Sequence, residues 1–195
     1  MNWLRLLVLA AALSFVCSAA QAHPTAPAWE GGFLSGAAHP LAGLDHLLAI
    51  LAVGLLSAQV GGRAIWALPT AFVGSMLAGC VLGAMGWMMP AVEFGIAVSV
   101  LLLGLAVAMN CAGPLAVSLI AAAGFGLCHG HVHGTEMPLL VAPALYAAGF
   151  AITTLGLQCV GILVGRWAIC SLNGAIGVRL AGALVAACGL VLLVV

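Results

Sequence analysis

Charged residues are scarce in this sequence. Its 195 residues include four arginines, no lysine, and four aspartates or glutamates. A soluble domain is about one quarter charged, so the composition excludes a soluble globular fold. The formal net charge is zero, which leaves no basis for a nucleic-acid partner or an acidic partner.

Paired cysteine motifs are also missing. None of the seven cysteines forms a C-x-x-C pair, and most lie inside apolar runs. Cysteine in such a run packs as a small hydrophobic residue, so we expect no disulfide framework. Cys128 is the exception to note, because it adjoins a histidine.

Hydrophobic residues make up 66% of the chain instead. About 20 consecutive apolar residues span a bilayer as a helix, so the sequence predicts an all-α, polytopic membrane helix bundle in contact with lipid. Breaks rich in glycine and proline separate the apolar runs. Residues 23–195 then form one domain with six spans, at roughly 41–60, 64–85, 91–110, 114–131, 138–165 and 175–195.

The first 22 residues have the pattern of a cleaved signal peptide. Arg5 precedes a short apolar core, and Ala20-Gln21-Ala22 is a small-x-small cleavage site. Cys17 would suggest lipidation instead, but Val16 is unsuited to the position before a lipidated cysteine. We therefore expect a mature chain that begins at His23, with its N-terminus on the periplasmic side of a bacterial inner membrane.

The arginines agree with this orientation. Arg63, Arg166 and Arg179 all fall on the cytoplasmic side, as the positive-inside rule requires, whereas the glutamates fall near the outer side.

Two spans also carry a small residue at every fourth position, which lets helix backbones approach closely. These rows are Ala71, Ser75, Gly79 and Gly83, and Ala122, Gly126, Gly130 and Gly134.

Five of the six histidines lie in two clusters. Span one begins on the outer side and span four ends there, so the alternation of spans predicts that the two clusters meet at one membrane face. The first cluster is His39, Asp45 and His46. The second is the stretch from Cys128 to Glu136, which contains His129, His131 and His133.

Helical spacing favours some of these residues as partners. His129, His133 and Glu136 lie within an arc of roughly 60° on a helix, whereas His131 points away unless the neighbouring glycines break the helix. His39 and His46 are about 10.5 Å apart along a straight helix, too far to share one ion. Either the chain bends between Pro40 and Gly43, or His39 serves a separate capture step. We expect the helix to begin near Pro40 or Leu41.

Imidazole and carboxylate donors suit nickel, cobalt, zinc or copper better than calcium or magnesium. The candidate ligands are His39, Asp45, His46, His129, His133 and Glu136. Four further candidates are His23, which would carry a free amine after cleavage, His131, Cys128 and Glu93. Taken singly, each of these residues also has an ordinary structural explanation, such as an interhelical contact or a favourable place near a helix N-terminus.

The two motifs resemble those of the HupE/UreJ family of nickel or cobalt permeases, associated with hydrogenase and urease maturation. The family's first pattern, a histidine, five residues and Asp-His, occurs here from His39 to His46. Its second, Phe-His-Gly, two residues, His-Gly, one residue and Glu, occurs from Cys128 to Glu136. Cys128 replaces the usual phenylalanine, and His131 fills a variable position.

This resemblance implies nickel uptake by a small secondary permease without an ATP-binding part, and the chain has no P-loop motif. Applied residue by residue, it implies the six candidate ligands given above. Two alternatives remain open at this point. One is an intramembrane metal-dependent hydrolase, with three ligands and an activated water. The other is a metal-binding protein that delivers or senses the ion without moving it. The driving force and the oligomeric state stay open.

Overall fold

A computed structural model of the chain describes residues 32–111, 113–138 and 142–194. The expected signal peptide (residues 1–22) and His23 lie outside these residues. Within the described ranges the chain forms seven α-helices and no strand. They are α1 (Gly32–Ala42), α2 (Leu44–Val60), α3 (Ala64–Ala84), α4 (Val92–Met109), α5 (Leu115–Thr135), α6 (Pro143–Ala168) and α7 (Leu172–Leu192).

The expected all-α membrane bundle is confirmed. Helices α3 to α7 are each long and apolar enough to cross a membrane, and the bent pair α1 and α2 makes a sixth crossing if the two helices form one broken span. Large exposed hydrophobic side chains cover the outside of the bundle, as a surface in contact with lipid requires. Exposed tryptophans near both ends of the bundle suit the interfacial layers of a bilayer: Trp66, Trp87 and Trp167.

The first span does not begin near Pro40 or Leu41, as expected, but consists of two helices. Pro40 lies inside α1, and α2 begins only at Leu44, after a break at Gly43 that bends the chain by 83°. Gly43 has an extended backbone, and a Cβ there would come within 2.7 Å of the Asp45 carboxylate. Glycine therefore leaves room for the Asp45 side chain to fold back at the bend.

The two rows of small residues pack against each other. A Cβ on Gly126, Gly130 or Gly134 of α5 would collide with backbone carbonyl oxygens of α3, and one on Gly79 or Gly83 of α3 would collide with those of α5. The expected close helix contact is confirmed. It holds α3 and α5 parallel and in backbone contact over roughly the C-terminal half of each helix.

Helix α6 packs against both halves of the broken span. Gly36 of α1 lies on the backbone of Tyr146, and Gly54 of α2 lies on the backbone of Gln158. Since α6 has 26 residues, it is about 39 Å long, which is enough to contact α1 near its beginning and α2 further on. Helix α6 is thus the support against which the bend is held.

The directions of the packed helices alternate as six crossings require. In the contacts between α2 and α6, and in those between α3 and α5, the residue numbers of both partners increase together, so each pair is parallel. In the contacts between α4 and α7 one number increases as the other decreases, so this pair is antiparallel. The starts of α2, α4 and α6 therefore share one end of the bundle with the ends of α3 and α5. We call it the histidine end. The other end carries Arg63, Arg166 and Arg179, and we call it the arginine end.

The α3–α5 contact predicts a sharp difference between two glycines of α5. Gly130→Ala places a methyl group on the Met76 carbonyl, whereas Gly124→Ala adds one where nothing lies within 4 Å. We expect Gly130→Ala to destabilise the protein by about 1–3 kcal/mol through overpacking. Gly124→Ala should leave stability unchanged or slightly higher, because alanine favours a helix by up to about 1 kcal/mol. Thermal unfolding of both purified variants checks this, and equal effects would contradict the close contact.

Candidate metal site

Three histidines from three helices meet at the histidine end. His39 of α1, His46 of α2 and His133 of α5 each present a ring nitrogen, and these nitrogens lie within 4.8 Å of one another. The ring centroid of His133 is 4.5 Å from that of His39 and 5.0 Å from that of His46. We call these three side chains the histidine triad. The structure thus brings together residues of both sequence clusters at one end of the bundle.

The bend at Gly43 explains how His39 reaches the other two rings. On a straight helix His39 and His46 would be separated by about 10.5 Å, but here their ring centroids are 5.9 Å apart. The chain takes the bent course, one of the two alternatives left open by the sequence, and His39 lies beside His46 rather than apart from it.

Burial increases from the surface inward through these groups. The Glu136 side chain is 37% exposed, and its carboxylate is 3.5 Å from Nε2 of His39, whose side chain is 17% exposed. His46, His129 and His133 are fully enclosed by the bundle. An ion approaching from the histidine end would therefore meet a carboxylate before it meets the buried imidazoles.

Asp45 fixes the orientation of His46. Its Oδ1 atom accepts a hydrogen bond from the backbone N–H of His46 at 2.7 Å and lies 2.9 Å from Nδ1 of the same ring. With the proton on Nδ1, the lone pair is on Nε2, which is buried and has no hydrogen-bond partner among the described residues. This is the carboxylate–histidine arrangement that commonly supports a metal-binding imidazole.

His129 lies one helical turn before His133 on α5, further from the histidine end. Its Nε2 atom is 2.8 Å from the Ser99 hydroxyl, which itself donates to the carbonyl of Ile96. Because that hydroxyl proton is already used, Nε2 of His129 is the donor, and its Nδ1 atom carries the lone pair. That Nδ1 atom is buried without a partner in the described structure, and the ring is 4.7 Å from that of His46.

His133 has the most unusual environment of the buried histidines. Its ring stacks on Phe150 of α6 at 4.5 Å, and neither ring nitrogen has a hydrogen-bond partner among the described residues. An unpaired polar atom inside a bundle is costly and calls for an explanation such as an ion or a water molecule.

The spacing of the triad fits one transition-metal ion after a small adjustment. Imidazole nitrogens bind such ions at about 2.0–2.1 Å, so two ligands at a tetrahedral angle are roughly 3.4 Å apart. The triad nitrogens, which lie within 4.8 Å of one another, therefore need to close by up to about 1.4 Å, which side-chain rotation can provide. Neutral imidazoles suit nickel, cobalt, copper or zinc.

The other sequence candidates lie around the triad rather than in it. Helix α5 continues unbroken to Thr135, so His131 points away from the triad, and its Nε2 atom is 2.7 Å from the carbonyl of Trp87. Cys128 packs against Gly95 of α4. Glu93 is exposed in the first turn of α4. All three lie near the histidine end, but none belongs to the group of close nitrogen donors.

Three contacts of the site were missed by sequence reasoning. Ser99 is a single serine within an apolar run of α4, and this isolation was the one available signal. Phe150 and Tyr146 carried no signal, because aromatic residues are common in apolar helices. Tyr146 lies 6.0 Å from the His39 ring and 5.8 Å from the Phe150 ring. Tyr146 and Phe150 pack the beginning of α6 against the histidine triad.

The fold and the buried histidines define a polytopic membrane protein with a candidate metal site inside its helix bundle. Comparison with known proteins identifies the family of membrane proteins. The family model described as HupE / UreJ protein matches residues 11–192. Protein HupE of Rhizobium leguminosarum bv. viciae is 42% identical over 167 residues, or 84% of this chain and 85% of that relative. No solved structure is significantly similar.

The chain therefore belongs to the HupE/UreJ family, and the resemblance of the two motifs is confirmed. The family consists of nickel or cobalt permeases rather than enzymes. Family membership thus supports metal transport in general and argues against the intramembrane hydrolase.

The bend can be tested without any metal. In a variant whose native cysteines are replaced, His39→Cys with His133→Cys should be joined by a short bifunctional thiol reagent, because these two side chains face each other. The control pair His39→Cys with His131→Cys should not be joined, since His131 faces the Trp87 carbonyl. Mass spectrometry of the linked peptides shows which pair of cysteines is joined. Equal cross-linking of both pairs would contradict the bent arrangement.

Proposed function

We propose that this protein is a secondary permease that moves nickel, or a similar divalent ion, into the cytoplasm through the histidine triad. The observation that carries the proposal is the convergence of three imidazoles from three helices, with His46 Nε2 and both His133 nitrogens buried and unpartnered in the described structure. Ionisable groups inside a membrane bundle commonly mark an ion pathway, and the family transports nickel or cobalt.

The side chains around the triad have separate proposed roles. Glu136 attracts the hydrated cation at the surface, and His39 receives it there, because these two groups are the most exposed. His46 and His133 then replace water molecules as ligands. Asp45 orients His46 and offsets part of the ionic charge, and His129 offers its Nδ1 atom as the next donor inward. In this assignment Asp45 acts through His46 instead of binding the ion directly.

The distribution of arginine supports the orientation in which the histidine end takes up the ion from outside. All three arginines of the expected mature chain are at the arginine end, which supports placing this end in the cytoplasm. The histidine end and the mature N-terminus then face the periplasm of a bacterial inner membrane. We propose that the imported ion supplies hydrogenase or urease maturation. Cobalt, zinc and copper are alternative cargo.

A protein that binds the ion for delivery or sensing, without moving it, is the second candidate. It would share the histidine triad but would show saturable binding without accumulation inside vesicles. Nickel, cobalt, zinc and copper should be compared in one uptake assay. Intrinsic affinity of nitrogen donors favours copper over nickel, so a nickel preference would have to come from the geometry of the triad.

Two histidines of α5 provide a matched test of the permease. His133→Gln removes a triad imidazole, and we expect nickel uptake into proteoliposomes to fall by at least about tenfold. His131→Gln should retain most of the uptake, because a glutamine amide can still donate to the Trp87 carbonyl. Both variants must be present in the membrane at wild-type abundance. Unchanged uptake by His133→Gln would refute the proposed role of the triad.

The role of Asp45 is tested by a carboxylate control at the same end of the bundle. Asp45→Asn removes the charge beside His46 but keeps an oxygen acceptor, so nickel affinity should weaken by about 10–100-fold, as for other groups that support a metal ligand. Glu93→Gln removes an exposed charge and should change affinity by about twofold or less. Titration calorimetry of purified protein measures both. Equal losses would mean that Asp45 acts only as a general surface charge.

A further inference from the structure

Two polar side chains deep in α6 are buried without partners. Thr154 and Gln158 are both 0% exposed. Neither the Thr154 hydroxyl nor either amide atom of Gln158 has a hydrogen-bond partner among the described residues. They lie one turn apart and therefore on the same side of the helix. Unpaired polar groups are costly in a low-dielectric interior, so two neighbouring ones indicate a place that holds water or an ion.

Thr154 differs from five other hydroxyls of the bundle. A serine or threonine inside a helix usually donates to the carbonyl three or four residues earlier. Five hydroxyls do so here: those of Ser57, Thr70, Ser75, Ser99 and Thr135. The carbonyl of Phe150 is four residues before Thr154, yet Thr154 makes no such bond. Its hydroxyl thus remains available for another group.

Helix α6 connects these residues with the histidine triad. Phe150, one turn before Thr154, stacks on the ring of His133. Gln158 is eight residues beyond Phe150 and eight before Arg166, so it lies about 12 Å along the helix from each. At this level α2 is in backbone contact with α6, through Gly54 and the Gln158 carbonyl. Gln158 is thus about midway between Phe150 and the arginine end.

We propose that Thr154 and Gln158 form an inner station, a hydrated pair of oxygen donors that receives the divalent ion after it leaves the histidine nitrogens. This inference rests on the proposed permease function and extends it, since it assigns the route beyond the triad. The hydroxyl of Thr154 and the amide oxygen of Gln158 contact the ion directly or through its remaining water molecules.

The chemistry of the two stations separates capture of the ion from its release. Imidazole binds nickel-like ions better than neutral oxygen donors do, so the triad captures the ion and the inner station holds it weakly. Conduction needs sites that bind enough to admit an ion and release it readily. Without a charged ligand, the inner station cannot trap the ion in the middle of the membrane.

Adjacent threonines of α6 provide the first test. Thr154→Val removes the buried hydroxyl with little change in volume, and Thr153→Val makes the same change at a half-buried neighbour. In proteoliposomes we expect the maximal rate of nickel uptake to fall by about tenfold for Thr154→Val, with Thr153→Val within about twofold of wild type. Nickel affinity of the purified protein, measured by calorimetry, should be unchanged in both. Thr154→Ser should restore uptake, because it restores the hydroxyl.

The variant Gln158→Met distinguishes a role of Gln158 in transport from a role in stability. Methionine has a similar length and no costly unpaired atoms, so thermal stability should be equal to or above wild type, while uptake falls about tenfold. A merely structural glutamine would give the opposite pattern, lower stability with uptake reduced only through protein abundance.

Three results would overturn the inner station. Uptake by Thr154→Val and Gln158→Met could stay within about twofold of wild type. Uptake could fall only in proportion to a loss of nickel affinity, which would mean that both residues support ion binding at the histidine triad and form no separate station. Thr154→Ser could remain as slow as Thr154→Val. Loss of uptake in His133→Gln together with normal uptake in these variants would refute the inner station alone, whereas wild-type protein without uptake would refute the permease itself.

Discussion

The site depends on one break in the backbone, at Gly43. An unbroken span would carry His39 more than a helical turn away from His46, and the two rings could not serve one ion. The 83° bend between α1 and α2 lets α1 lie across the beginning of α6 while α2 continues into the bundle. The absence of a side chain at Gly43 also gives the Asp45 carboxylate the space in which it bonds to His46.

Close helix packing then fixes where the imidazoles meet. Glycines of α3 and α5 allow backbone contact, and glycines of α6 and of the broken span do the same. In lipid, such contacts replace the hydrophobic effect as the source of helix association. The result is a bundle tight enough to enclose His46, His129 and His133 completely. Their nitrogens without hydrogen-bond partners among the described residues are thereby shielded from lipid.

Much of this arrangement could be predicted from the sequence, because lipid imposes simple rules. Apolar runs predicted the spans, and their alternation predicted that His46 and His133 lie at one end. The spacing of small residues predicted close backbone approach by α3 and α5, but not that these two helices are each other's partners. The course of the chain at Gly43 could not be settled, since straight and bent helices share the same local pattern. Helix spacing also could not show that Asp45 is engaged with His46, or that Ser99 from another span holds His129.

The central claim is that imidazoles from three helices bind the transported ion together. X-ray absorption at the nickel edge of the purified, nickel-loaded protein tests it most directly, because it reports the ligands themselves. The account predicts three histidine nitrogens at about 2.1 Å, with the imidazole scattering pattern reduced to two rings in His39→Ala. A nickel shell that contains sulfur, or that has fewer than three imidazoles in the wild-type protein, would contradict it.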